Sequence, residues 1–340
     1  MSLEASAIVL NFNGGRWVGE AVQSLLDQDQ PGLEVLVVDN ASTDGSDRSL
    51  EERFSGRIRL LRAPSNLGFG AGNNIGLRAA HGRYLVLLNN DAEAHPSMAR
   101  RLVEAAQSGP RVGMVAAKVL EHARRDTLDN TGHLLYPDGL NRGRGRLELD
   151  RGQYDRCATA LFPSGAAALY RREMLDDVGL FDESFFLYGD DAELGLRGRV
   201  AGWECAFAPE AIAYHHYSRS AGAYSSLKAF HVERNRVWVL MKLFPLRLIV
   251  ASPAYTAARL CWQAWGALIG RGAAARLARE VSPWRLVTVT LRAWASAAAG
   301  LPRVYRDRHA LRARRRLSTP EFFRLLREFR LGVRDVALKE

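Results

Sequence analysis

The sequence predicts an α/β fold: a mostly parallel sheet with helices on both faces, followed by a helical, basic C-terminal region. Three observations predict it. Short continuous apolar runs alternate with helical periodicity over the first 120 residues, as in sheets buried on both faces. Several of these runs end in clusters of Asn, Asp and Gly. From Ala221 onward 23 Lys and Arg stand against 7 Asp and Glu, a balance of +16, whereas the first 220 residues carry −6. With 340 residues, one large or two smaller domains are expected, and the change of character divides the chain into 1–224 and 225–340. A hydrophobic content of 47% and a charged content of 25% exclude a disordered chain.

The elements follow in order. Ala7 to Leu10 reads as a buried strand, and Trp17 to Leu26 as a helix with one apolar face. Leu33 to Val38 is a second strand, followed by a helix near Asp47 to Phe54, and Arg57 to Leu61 is a third strand. A glycine-rich loop then leads into a helix through His81, and Tyr84 to Leu88 is the fourth strand. Met98 to Ser108 reads as helix and Val112 to Val119 as strand. From Glu121 to Asp155 the pattern dissolves into Gly, Asp and Arg, which predicts a long functional loop. Strand, helix and strand return at Ala166–Tyr170, Glu193–Ala201 and Trp203–Ala208.

Beyond Tyr224 the segments are helical, rich in Ala, Leu and Trp and studded with Arg. Ser318 to Glu321 has the spacing of a capping box, and Phe322, Leu325, Leu326 and Phe329 form one apolar face after it. No run of 18 uncharged apolar residues occurs, so a simple spanning helix is not expected. The N-terminus lacks the basic and apolar regions of a signal peptide. Cys157, Cys205 and Cys261 match no zinc or redox spacing, which suits a reduced intracellular protein with cysteines as core filler. The basic tail wants an anionic partner. Trp262, Trp265, Trp284 and Trp294 among arginines suit an anionic membrane surface, although packing on the first domain or on a second copy is the alternative.

In open α/β sheets, ligands collect beyond the carboxyl ends of the strands. The first strand ends in Asn11-Phe12-Asn13-Gly14-Gly15, either an ordinary turn or a contact for a base or phosphate. The second ends in Asp39-Asn40-Ala41-Ser42-Thr43-Asp44. Asp39 can accept from a nucleobase or ribose while Asp44 or Ser46 caps the next helix. The third leads to Asn66-Leu67-Gly68 and on to Gly72-Asn73-Asn74, where glycines admit a ligand and a helix N-terminus favours phosphate. That segment imitates a dinucleotide fingerprint, but it follows the third strand instead of the first. The fourth ends in Asn89-Asn90-Asp91-Ala92-Glu93. Asp91 with Asn89 or Glu93 offers hard oxygens for Mg²⁺ or Mn²⁺; the plain alternative is a solvated turn. Later, Asp190-Asp191 open a helix after an aromatic run, one suited to capping and the other to general-base work. His215-His216 follow a strand and could be structural, a metal ligand or a phosphate contact.

Together these segments resemble glycosyltransferase family 2, an inverting family with the GT-A fold. The resemblance rests on IVLNFNG (8–14), VVDNASTDGS (37–46), NLGFGAGNN (66–74), LLNNDAE (87–93), FFLYGDDAEL (185–194) and HHYSRS (215–220). It is closest to bacterial rhamnosyltransferase-like members that build cell-surface polysaccharide, which carry a segment similar to Arg234-Asn235-Arg236-Val237-Trp238. The resemblance implies that Asn11, Asn13, Asp39, Asn40 and Asp44 hold the nucleoside and that Asn66, Gly68, Gly72, Asn73 and Asn90 line the donor pocket. It implies Asp91 as the metal-binding residue, with Asn89 and His215 beside it. Asp191 would be the base, with Asp190 where the family more often has Glu. Asn89 replaces the family's first aspartate, and the Gln-x-x-Arg-Trp segment of processive synthases is absent, so transfer of one or a few sugars is expected.

The function implied is sugar transfer, rhamnose among the candidates, from a nucleotide-diphosphate sugar to a glycan or lipid-linked acceptor. The protein would be cytoplasmic and peripheral on the inner face of the cell membrane. Two rivals are a nucleotidyltransferase and a nucleic-acid-binding protein. The first would carry a basic residue in its N-terminal glycine loop, and Asn11 to Gly15 has none; the second lacks any recognisable nucleic-acid motif, and no nucleic-acid partner is expected.

Overall fold

The computed structural model describes residues 3–216, 225–272, 275–276 and 282–339. The chain divides into two compact units, residues 1–133 with 143–220, and 134–142 with 221–340. Tyr224, the last residue of the expected first domain, lies outside the described residues. The short stretch 134–142 belongs with the second unit, which the sequence did not foretell.

The first unit is built on the strands β1 (Ala5–Asn11), β2 (Leu33–Asp39), β3 (Arg59–Arg62), β4 (Tyr84–Asn89), β5 (Ala92–Ala94), β6 (Val112–Glu121), β7 (Leu128–Asn130), β10 (Ala167–Arg171) and β11 (Glu204–His215). The path across the sheet is β3-β2-β1-β4-β10-β6-β11-β5, with β7 paired to β6. β3, β2, β1 and β4 run parallel, as expected for buried apolar strands. β10 enters antiparallel to both neighbours, and β5 pairs antiparallel with β11. The sheet is therefore mixed.

Strand alternation explains the double cover. Ala5, Ala7 and Val9 pack in the core that holds α1 (Trp17–Leu26), α2 (Ser46–Phe54) and α4 (Met98–Ala106). Ile8 and Leu10 point the other way, toward α3 (Phe69–Ala79), where Gly76 and Gly72 let the helix lie close. A Cβ at Gly72 would stand 2.5 Å from Leu10 Cδ1. The helix starts at Phe69, so most of the glycine-rich segment expected as a loop is its first two turns. Two further helices cover the sheet: α5 (Arg172–Val178), unforeseen, and α6 (Asp190–Val200).

The stretch expected as a long loop is ordered and largely buried from Thr127 to Gly139. It contains β7, β8 (His133–Leu135) and β9 (Asn141–Gly143). Arg144 fixes it from inside, donating to the carbonyls of Thr131 and Thr159. Of the three cysteines only Cys205 is buried; Cys261 is exposed, which overturns the core-filler expectation for it.

The second unit is helical: α7 (Ser226–Leu243), α8 (Leu246–Leu268), α9 (Pro283–Ala299), α10 (Leu301–Leu311), α11 (Thr319–Glu328) and α12 (Val333–Leu338). α9 and α10 pack on α7, with Trp238 Nε1 donating to Ala297 O at 3.0 Å. The capping box at Ser318 and Glu321 is formed.

Candidate active site

The parallel register sets the first half of the site. Asn11 and Asp39 end β1 and β2 side by side. Asn11 Nδ2 donates to Asp39 Oδ1 at 3.0 Å, and Ser42 N donates to Asp39 Oδ2 at 3.1 Å. Asp39 is thus a buried carboxylate held by two donors, consistent with the need of a buried charge for partners. Asn13 Oδ1 accepts from Thr43 N at 2.8 Å, and Asp44 Oδ2 accepts from Gly15 N at 2.8 Å, stitching the two strand ends together. Burial pushes the Asp44 carboxyl up, but hydrogen bonds from Ser46 and Gly15 outweigh it and hold the group below the usual carboxylate range. Asn40 reaches across to the third strand end, donating to Asn66 Oδ1 and Gly68 O and accepting from Leu67 N.

The second half stands on β4 and β11. His215 Nε2 lies 3.2 Å from Asp91 Oδ1 and 3.4 Å from Asn89 Nδ2. Its Nδ1 lies 2.8 Å from Asp129 Oδ2. Asp129 in turn takes a 2.9 Å ion pair from Arg146. Burial opposes a charged imidazole, yet the flanking carboxylates of Asp129 and Asp91 raise its pKa to about 10. The same contact holds Asp91 below its usual range against the effect of burial. Glu93 turns away to His122 and Arg125, and His215 stands between Asp91 and Asn89 in its place.

Asp190 and Asp191 differ sharply. Asp190 is buried, and its Oδ1 finds no hydrogen-bond partner among the described residues. Burial, reinforced by the neighbouring Asp191, pushes its pKa up to about 8. Asp191 is partly open to solvent; its oxygens accept from Ala192 N at 2.8 Å and Gly165 N at 3.3 Å. The chain before them carries Phe186, Tyr188 and Gly189 at positive φ. Its Phe186 carbonyl accepts from Phe69 N at 2.6 Å and presses on Gly68.

These contacts close a ring. Asn90 Nδ2 is 3.5 Å from Asn11 Oδ1, and Asn89 N donates to Ala166 O, next to the Gly165 that binds Asp191. Asn11, Asn13, Asp39, Asn40, Asp44, Asn66, Gly68, Asn89, Asn90, Asp91, Asp191 and His215 all belong to it, and Asp190 stands next to Asp191 without a side-chain contact of its own to the ring among the described residues. Gly72 and Asn73 do not join through their own contacts: Gly72 packs on Leu10, and Asn73 donates to Phe69 O within its helix. Residues 217–220 of the HHYSRS segment lie outside the described residues. Asp129 was not expected, because nothing in the Gly-, Asp- and Arg-rich stretch around it signals a strand. Nor was the aromatic stack in which His216 lies 3.7 Å from His122 and 4.0 Å from Trp17. A depression of ≈ 660 Å³ lined by Leu3, Glu4, Arg83 and Gln107 lies at the opposite, amino-terminal ends of the strands, far from this chemistry.

A divalent cation suits the donor set around Asp91. Among the described residues no three His, Cys, Asp and Glu side chains form a metal cage. One carboxylate, one side-chain amide and one imidazole meet there, the imidazole binding a metal only on giving up its Nε2 proton, and Mg²⁺-type sites ordinarily complete their shell with phosphate oxygens and water. His215 also has the carboxylate behind it that commonly orients a metal-binding imidazole.

A family model described as Glycosyl transferase family 2 matches residues 6–179. An N-acetylglucosaminyl-diphospho-decaprenol L-rhamnosyltransferase of Mycobacterium tuberculosis is 27% identical over 245 residues, covering 63% of this chain and 76% of its own. Among solved structures, GalNAc-T7 with UDP, GalNAc and Mn²⁺ aligns with a TM-score of 0.60 at 18% identity, over 76% of this chain and 51% of that one. TarS 1-349 of S. aureus in complex with UDP aligns at 0.53 and 17% identity, over 96% of this chain and 91% of that one. Likeness at this identity speaks for a shared GT-A fold.

Proposed function

The chain belongs to glycosyltransferase family 2, and from that premise we propose that it moves a sugar from a nucleotide-diphosphate donor to a hydroxyl of a glycan or lipid-linked acceptor. The observation that carries the reading is the ring itself: a buried carboxylate at Asp39, an acid–imidazole pair at Asp91 and His215, and an accessible carboxylate at Asp191 surround one region. The rhamnosyltransferase relative supports L-rhamnose as the first sugar to try, and its printed name supports a lipid-diphosphate acceptor. The part in cell-surface polysaccharide assembly rests on the same relative.

In this reading Asp39 accepts hydrogen bonds from the nucleoside, with Asn11, Asn13 and Asp44 shaping its seat. Asp91, Asn89 and His215 would hold Mg²⁺ or Mn²⁺, which when bound supplies positive charge against the departing diphosphate. Asp191 takes the proton of the acceptor hydroxyl. That oxygen forms its bond to the anomeric carbon as the bond to the nucleoside diphosphate breaks on the opposite face, which inverts the centre. Asp191 suits the base better than Asp190 because it is open to an incoming alcohol, whereas Asp190 is enclosed and holds its proton near neutral pH. The basic C-terminal unit is read as the part that meets the inner face of the cell membrane.

Product analysis tests the proposal. The protein is incubated with a panel of nucleotide-sugars, dTDP-rhamnose included, and a polyprenyl-diphosphate sugar acceptor. Release of nucleoside diphosphate with a glycosylated lipid is expected. In a parallel incubation with a nucleoside triphosphate and a sugar 1-phosphate, release of pyrophosphate with formation of a nucleotide-sugar would instead identify a nucleotidyltransferase.

A further inference from the structure

We propose that the outward faces of α8 and α9 dock on the surface of an anionic lipid bilayer, the helices lying in its interface. The proposal rests on the reading that the basic unit meets a membrane, and goes beyond it by assigning the face.

α8 is built inside out. A helix on a protein surface ordinarily turns its apolar stripe inward and its charges to water. Here the mid-helix charge points in: Arg259 is buried, 2.7 Å from Asp138 and 3.0 Å from Glu233. Glu233 is shared with Arg236 and with Trp294 Nε1 of α9. This ion cluster fixes the rotation of α8 about its axis. On the other side, Leu246, Val250, Trp265 and Leu268 stand 68%, 73%, 53% and 82% exposed. Ala254, Ala257, Cys261 and Ala264 fill the stripe between them, also exposed. No exposed charge interrupts it from Leu248 to Leu268; the arginines stand at its ends, Arg247 before and Arg271 after. Twenty-three residues make a strip about 34 Å long at ~1.5 Å per residue. α9 repeats the pattern at helical spacing, with Trp284, Val287 and Leu291 at 82%, 51% and 56% exposed and Arg285 and Arg292 beside them.

The charge decides the occupant. Apolar stripes edged by arginine and tryptophan match the boundary between acyl chains and anionic headgroups. A second copy would bring another +16 against the same surface, which disfavours self-association. No described helix is long and apolar enough to cross a membrane, so the fit is to the interface.

The test uses the full chain in vesicle flotation, with phosphatidylcholine vesicles and with vesicles also containing phosphatidylglycerol. Val250→Glu/Leu268→Glu changes two side chains that touch little of the protein, and Leu149→Glu, 50% exposed in the first unit, makes the same kind of change elsewhere. Wild type and Leu149→Glu are expected to float with the anionic vesicles, and the double variant to partition about tenfold or more weaker, since two apolar side chains are lost from the buried stripe and two carboxylates face anionic headgroups. All three are expected to keep the wild-type Tm. A double variant that floats like wild type overturns the face assignment and leaves the membrane reading standing. A wild type that floats with neither vesicle overturns both. A wild-type dimer in light scattering that the double variant loses, without vesicle binding, gives the face to a second copy and overturns the proposal.

Discussion

Asp190 and Asp191 are adjacent in sequence and opposite in circumstance, and the difference decides their chemistry. Asp191→Asn is expected to cut kcat by about 10²–10⁴-fold, the usual contribution of a general base, while donor affinity stays within about twofold. Retention of more than a tenth of the turnover would remove Asp191 from that role. Asp190, with its pKa raised to about 8, binds a proton that the unfolded chain releases near pH 4. Its stabilising contribution is therefore complete below about pH 4 and lost as pH rises through 8. Asp190→Asn cannot ionise, so its Tm is expected to gain on wild type between pH 5 and 8; parallel curves would contradict the assignment. Asp129 acts one step back, on Nδ1 of His215. Asp129→Ala is expected to weaken Mn²⁺ binding about 10–100-fold in calorimetry, with metal-free nucleotide binding kept. Unchanged Mn²⁺ affinity would mean that His215 does not depend on it.

At the scale of elements, the Asn66–Gly68 segment and the chain leading to Asp190 and Asp191 are locked together at Gly68. Its φ is +83°, and a Cβ there would lie 2.2 Å from the Phe186 carbonyl. Gly68→Ala must push the chain that leads to Asp190 and Asp191, and is expected to cost about 2 kcal/mol or more in denaturant unfolding along with most activity. A variant as stable as wild type would show that the two segments move freely of each other. This level was partly legible in the sequence. β1, β2 and β4 announce themselves as apolar runs with polar ends, because strands buried on both faces cannot alternate. The direction of β10 was not legible, since its apolar run looks the same whichever way it enters the sheet. The glycines of α3 were misread as a loop. Their use is the close approach of a helix to Ile8 and Leu10, which only the packed structure reveals.

Across the whole molecule, charge and polarity divide the work. The acidic first unit gathers carboxylates at one end of its sheet, where their mutual repulsion requires a cation or hydrogen-bond donors. The basic second unit turns uncharged helix faces outward. The sequence revealed that asymmetry and the residues at the strand ends. It hid Asp129, whose role arises only when the ordered stretch after β6 brings it to His215 from 86 residues away. The most direct test is an anomalous-difference map from crystals grown with Mn²⁺ and UDP, and again with dTDP. The account predicts a single strong peak within coordination distance of Asp91 and His215, with the nucleoside against Asp39. A Mn²⁺ peak that avoids Asp91, or a nucleotide seated away from Asp39, would contradict it.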